Sequence, residues 1–236
     1  MEAVPQPHEN WKSMLMKGQI DEEQVHQFAL LLACIHTGSQ RERQSVEEVF
    51  SDRTFFEALR IEPYYSYAGS QVPETKDFFA DLVRDTLAAR FCLVHGDYSP
   101  KNILVHKGKL ILLDHEVIHF GDPAFDVGFC LTHFLSKANH FPQLRSRFAQ
   151  AAGDCWNVYQ REAGAADFGP DFEARVVRNL LGCLFARVTG RSPLEYLDAR
   201  ERGSQSGVVV ALMREQPLRV EELVTRFIRG IETFSE

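Results

Sequence analysis

The sequence predicts an α+β fold that is mostly helical, with one small β-unit. Three observations predict it. Apolar residues recur at helical spacing through most of the chain on either side of residues 91–120. Short runs rich in branched and aromatic side chains are confined to Phe91–His95, Ile103–Val105 and Leu110–Leu113. Polar residues gather where these runs end: His95, Gly96 and Asp97 after the first, Asn102 before the second and Asp114 after the third.

Taken in order, residues 1–19 read as irregular, because Pro5 and Pro7 exclude a long helix there. Asp21 opens the first clear helix, with Gln24 as its capping-box partner. Val25, Phe28, Ala29, Leu32 and Ile35 form one apolar face, and Gly38 is expected to end the helix. Its histidines, His26 and His36, read as surface or hydrogen-bonded helix residues rather than ligands. Residues 45–60 repeat the pattern with Val46, Val49, Phe50, Phe56 and Leu59 inward. Pro63–Pro73, with three tyrosines, reads as a loop. Residues 74–90 form a helix with Phe78, Phe79, Leu82 and Leu87 inward.

After Asp126 the pattern is apolar nearly all round, which predicts a central helix. Helices over 142–162 and 171–188 follow, split by a turn near Gly164–Gly169. Ser192 and Pro193 predict the start of a further short helix. Helices over 205–214 and 218–233 complete the chain, and no internal repeat or low-complexity tract is present.

Composition narrows the class. The chain has 236 residues, 44% hydrophobic and 25% charged, which suits one large globular domain. A formal charge of −7 argues against a nucleic-acid partner, which calls for a basic face. The five cysteines are scattered, with no C-x-x-C pair, and are expected to be reduced core residues of a cytoplasmic protein. No apolar run reaches membrane-span length, so no membrane association is expected.

The chemistry lies in residues 91–128, FCLVHGDYSPKNILVHKGKLILLDHEVIHFGDPAFDVG. A hairpin turning at Lys107–Gly108 aligns the start of one strand with the end of the next, so Asn102 and Asp114 come together. Asp97 then faces the same cleft. Phosphoryl transfer needs this layout: one carboxylate to accept the proton of an attacking hydroxyl, and hard oxygen ligands, an Asp and an Asn, to hold Mg²⁺ on nucleotide phosphates. A buried hairpin with acidic ends is a weaker account, since chance would have to order six residue types.

His95-Gly96-Asp97, four residues, Asn102, then Asp114 and Gly121-Asp122-Pro123-Ala124-Phe125-Asp126 resembles the aminoglycoside phosphotransferase and choline kinase group of small-molecule kinases. The Gly at the second position departs from the Arg of protein kinases. The resemblance implies the C-terminal lobe of a protein-kinase-like fold over residues 21–236, and an ATP- or GTP-dependent, Mg²⁺-using enzyme. It implies phosphorylation of a hydroxyl on an aminoglycoside, amino alcohol or sugar. By resemblance, Asp97 is the catalytic carboxylate, and Asn102 and Asp114 are metal ligands. His95, Gly96 and Asp126 support the loop, and Glu116 reaches a second metal or its water. Lys101 reads as solvated. Acceptor contacts are expected from helices after residue 135, where Asp154, Glu162 and Asp167 are too ordinary to single out.

Residues 1–20 look like the inter-lobe hinge, with Glu2 and Val4 toward the nucleotide base. No sheet is expected before the first helix, so the chain is expected to start at that hinge. Its Lys-bearing nucleotide lobe would then be missing or supplied separately, leaving the chain alone weak or inactive. Two other readings stay open: an inactive kinase-like lobe that binds a ligand or partner, and a metallohydrolase using His95, Asp97, Asp114 and His115.

Overall fold

Helices dominate and the strands are short and few, as the sequence predicts. The computed structural model describes residues 4–164, 168–169 and 171–234. In chain order come β1 (Glu9–Asn10), α1 (Trp11–Met16), α2 (Glu22–Arg41), α3 (Arg43–Phe50) and α4 (Thr54–Phe56). A run of π-helical turns, Glu57–Ser66, leads into α5 (Tyr67–Gln71) and α6 (Lys76–Ala88). The β-unit follows as β2 (Cys92–Val94), β3 (Ile103–His106), β4 (Lys109–Leu112) and β5 (His119–Gly121). The chain then continues as α7 (Pro123–His140), α8 (Arg145–Ala163), α9 (Phe172–Thr189), α10 (Ala199–Arg214) and α11 (Val220–Thr233).

The hairpin forms at the expected place. His106 pairs with Lys109 and Ile103 with Leu112. Lys107 and Gly108 take φ of 50° and 75°, the left-handed pair that a two-residue hairpin turn needs. β1 pairs with β3 on its other edge, Glu9 opposite Val105. β2 pairs with β5, Cys92 opposite Gly121, as a separate two-stranded ladder.

Every residue from Pro123 to Asn139 is buried, so α7 is the central helix its all-round apolar pattern predicts. Asp122 caps it by accepting from the Ala124 N–H at 3.0 Å, with Pro123 in the first turn. Gly128 lets α9 approach: a Cβ there would lie 2.6 Å from the Leu180 nitrogen. α7 thus fixes one wall of the β-unit from below, through the residues that follow β5.

Several sequence expectations need correction. The segment before the first clear helix does contribute to a sheet, through β1, and Trp11 and Leu15 of α1 are buried in the common core. Gly38 does not end α2, which runs on to Arg41; the Thr37 and Ser39 hydroxyls bond back to carbonyls of the preceding turn. Asp21 caps α2 through the Gln24 N–H, but Gln24 returns no bond and its Oε1 is buried without a partner. Pro63–Pro73 is not a loop. Pro63 sits inside the π-helical turns, whose wider hydrogen-bond spacing accommodates a residue that breaks an α-helix. The register around residue 60 also shifts: Arg60 is buried, while Leu59 and Val49 face solvent. Ser192 and Pro193 start no helix; the next one begins at Ala199, capped by a reciprocal Asp198–Glu201 box. Of the cysteines, Cys34 is exposed and the other four are buried and unbridged. Among the described residues no helix is long and apolar enough to cross a membrane.

Candidate active site

The loop after β2 closes into a ring of hydrogen bonds. The Asp97 N–H donates to His95 Nδ1 at 3.2 Å. That donation assigns the neutral tautomer with hydrogen on Nε2, which faces the Leu113 carbonyl at 3.2 Å. Burial, first among the causes, keeps the His95 pKa below the ordinary imidazole value, consistent with a neutral ring. The Leu113 N–H donates to the Asn102 carbonyl at 2.9 Å, and the Asn102 amide nitrogen donates to Asp97 at its carbonyl (3.0 Å) and at Oδ2 (2.7 Å). His95, Asp97, Asn102 and Leu113 are therefore locked to one another. Asp114 follows the ring directly, after Leu113.

A buried carboxylate braces this ring from below. Asp126, on the first turns of α7, accepts the His95 N–H at 2.6 Å on Oδ2 and the Gly96 N–H at 2.8 Å on Oδ1. His36 Nε2 reaches Oδ2 at 3.3 Å, and His36 Nδ1 meets the Tyr159 hydroxyl at 2.8 Å. Burial opposes ionisation of Asp126. The bonds and charge of His36 and the proximity of His95 outweigh it and hold the pKa below the usual carboxylate range. Gly96 takes φ of 76°, and a Cβ there would lie 2.9 Å from the Val117 carbonyl, so the position requires glycine on two counts.

Asp97 itself is buried and bonded on both oxygens. Arg60 Nη2 meets Oδ1 at 3.0 Å, and Lys101 Nζ meets Oδ2 at 3.1 Å beside Asn102. Arg60 also donates from Nε to the Gly96 carbonyl at 2.7 Å. Arg60 reaches the loop because the π-helical turns deliver it there. The sequence reading missed it, since a segment with Leu59 taken as inward turns Arg60 outward. Lys101 is exposed but reaches Asp97, so it is more than the solvated lysine expected.

Asp114 contrasts with Asp97. It is exposed, takes a φ of 66°, and among the described residues no hydrogen bond or ion pair holds its carboxylate. Asp and Asn are the side-chain-bearing residues that best tolerate this conformation. Glu116 is likewise exposed, in the turn that follows. Because the Asn102 nitrogen is committed to Asp97, its amide oxygen is the end that can meet a cation. Two hard oxygen donors, one amide and one carboxylate, fit Mg²⁺ chemistry. The metallohydrolase set is not assembled: both ring nitrogens of His95 are engaged within the loop. Among the described residues no cluster of three or more His, Cys, Asp or Glu is placed to hold a metal.

Asp122 completes the frame. It is buried against Arg175, whose Nε donates to Oδ2 at 2.9 Å. Its pKa is raised by burial, against the opposing effect of that guanidinium. Of the other sequence candidates, Val4 is half-buried and Glu2 lies outside the described residues. Asp154 borders a surface recess with His26, away from Asp97; Glu162 pairs with Arg161; Asp167 lies outside the described residues.

Residues 11–164, which include the ring and Asp126 beneath it, match the model of the phosphotransferase enzyme family, APH. The chain belongs to that family. No curated protein matches it. As a family member it is a phosphotransferase with a mostly helical α+β architecture like a kinase C-terminal lobe. A cavity of about 590 Å³ opens beside Asp97, between the π-helical turns, α7 and the segment after α9. Arg187, Arg191, Ser192, Pro193 and Glu195 bring residues after 135 into its wall, and Ala58–Tyr64, which the sequence reading had not put near the site, supplies another part of it.

Proposed function

We propose that the chain provides the catalytic and acceptor-binding machinery of an ATP- or GTP-dependent kinase that phosphorylates a hydroxyl of a small molecule, in the range of amino sugars, amino alcohols and sugars. The observation that carries this reading is the closed ring through His95, Asp97, Asn102 and Leu113, braced by Asp126. It presents one buried carboxylate, Asp97, to a cavity, and a second, exposed one, Asp114, follows directly on Leu113.

Asp97 accepts the proton of the acceptor hydroxyl at a carboxylate oxygen. An ionised carboxylate has about four lone-pair sites, so the existing bonds leave acceptor capacity. Arg60 and Asn102 fix its orientation, which is the chief requirement of this chemistry. Mg²⁺-nucleotide, when bound, supplies the phosphoryl group and offsets the charge that develops on it. Asn102 and Asp114 would hold the metal, with Glu116 close enough in sequence to serve its water. His95, Gly96 and Asp126 keep the loop in shape. We assign the segment before α1, with Glu2 and Val4, to the nucleotide side, and α1 together with residues 21–236 to the catalytic lobe. A non-enzymatic binding lobe is favoured by one observation, the engagement of both Asp97 oxygens by cations.

The test is Mg²⁺-dependent nucleotide binding, measured by calorimetry on the 236-residue chain and on a fusion carrying a family nucleotide lobe in frame. Asp114→Asn and Asn102→Ala should each weaken binding by about tenfold or more, the loss of one charge-assisted contact. Binding that neither change affects would remove the assignment of the metal ligands.

A further inference from the structure

The cavity beside Asp97 has a charge that the chain as a whole does not. The chain carries a formal −7. Yet five cationic side chains line this cavity, Lys12, Arg60, Lys101, Arg187 and Arg191, against the three carboxylates Glu62, Asp97 and Glu195. The carboxylates are all matched. Lys12 pairs with Glu195, Arg191 with Glu62, and Arg60 and Lys101 both with Asp97. Among the described residues Arg187 is the lining cation with no carboxylate within ion-pair distance. Its Nη1 donates to the Tyr64 hydroxyl at 3.0 Å and to the backbone and hydroxyl oxygens of Ser192, all neutral acceptors.

The same wall holds polar atoms with nothing to bond. Arg187 Nε, His133 Nε2 and Ser99 Oγ are each buried without a hydrogen-bond partner. Ser99 is 1% exposed and His133 6%, and both line the cavity. A buried donor or acceptor left unpaired costs about 1–3 kcal/mol, so three in one wall mark a surface that bonds something other than the protein. The local field is positive as well: burial and then the charges of Lys137, Arg187, Lys12 and Lys101 hold the His133 pKa well below the ordinary value.

We infer that this cavity takes an acceptor bearing an anionic group, a phosphate or a carboxylate, which Arg187 meets with His133 and Ser99 beside it while the hydroxyl to be phosphorylated faces Asp97. The inference rests on the kinase reading for the fate of the hydroxyl, but the anion selectivity stands on the cavity alone. It narrows the acceptor range: an aminoglycoside or amino alcohol would bring ammonium groups against Arg187, Arg191 and Lys12, whereas a sugar or polyol acid or phosphate would not. Arg60 and Lys101 are already engaged at Asp97, so the anion is met by the cation that is not.

The test is calorimetric binding of four probes of similar size to the full chain: glycerol, 2-amino-1,3-propanediol, glycerate and glycerol 3-phosphate. At least one anionic probe should bind about tenfold or more tighter than the neutral and cationic probes, one full charge interaction. Which anion wins separates carboxylate from phosphate. In Arg187→Gln the preference should fall to less than about threefold, and in Arg187→Lys it should survive in part, since charge remains while the guanidinium fork is lost. Should Arg187→Gln fail to fold, the comparison of probes on the unaltered chain decides alone. Equal or tighter binding of the amine, or no binding of either anion, overturns the inference. Displacement of the anion by Mg²⁺ with a non-hydrolysable ATP analogue also overturns it, by giving these cations to the nucleotide. Anion selectivity with no nucleotide binding by either the chain or the fusion leaves the inference standing and removes the kinase reading.

Discussion

The two carboxylates at the ends of the β-unit are built in opposite ways. Asp97 is buried, and its oxygens meet Arg60, Lys101 and Asn102, while Asp126 secures the backbone before it. Asp114 is exposed, lies in the left-handed region and is held by no protein group among the described residues. One side of the site is organised by the fold. The other leaves its oxygen ligands available to whatever binds. The difference separates two kinds of mutational effect: changes under Asp97 should cost stability as well as activity, and changes at Asp114 should cost activity alone.

The largest effect that would break this contrast is at Asp126. Asp126→Ala removes a buried acceptor from the His95 and Gly96 N–H groups and from His36, and should destabilise the protein by about 3–5 kcal/mol. Urea denaturation measures it, and a loss under about 1 kcal/mol would mean the ring does not need its brace.

A buried cation sharpens the same point. Lys137 is fully buried, and among the described residues its ammonium donates only to the His133 carbonyl at 3.2 Å, above the Tyr196 ring. Burial and then Lys12 and Arg187 lower its pKa to about 7, with Glu195 opposing. Between that value and the ordinary 10.5, the unfolded chain holds the extra proton. Stability should therefore rise with pH above 7, by at most about 1.4 kcal/mol per unit for one proton. Denaturation at pH 7, 8 and 9 reads the slope, and Lys137→Met should abolish it and raise stability at pH 7. A slope unchanged in that variant would show that Lys137 is not its source.

The smallest effect is at the exposed carboxylate. Asp114→Asn keeps a residue that tolerates positive φ and removes no protein contact, so stability should stay within about 0.5 kcal/mol. A drop comparable to that of Asp126→Ala would erase the distinction between the two sides.

Much of this was legible in the chain because it rests on local pattern. The hairpin follows from β-prone runs around Lys107–Gly108, and α7 from an apolar pattern with no polar face. The spacing of His95, Asp97, Asn102 and Asp126 also declared residues that hydrogen bonds bring together. What the sequence hid depends on tertiary context. A π-helical run has no periodicity that distinguishes it from a helix broken by Pro63, so Arg60 was turned the wrong way and its ion pair with Asp97 went unseen. His36 lies far along the chain from Asp126, and nothing in α2 distinguishes it from any other helix histidine. Arg187 and His133 become notable only once α7 and α9 are packed and Arg187 Nε and His133 Nε2 are left without partners.

The central claim is that Asp97 accepts the proton of an acceptor hydroxyl. Its most direct test is nucleotide turnover by Asp97→Asn, on whichever of the chain and the fusion binds nucleotide and with whichever acceptor supports the highest rate. Asn keeps the shape and loses the base, so turnover should fall by a factor on the order of 10²–10⁴ with nucleotide affinity nearly unchanged. Turnover at the unaltered rate in Asp97→Asn would contradict the account.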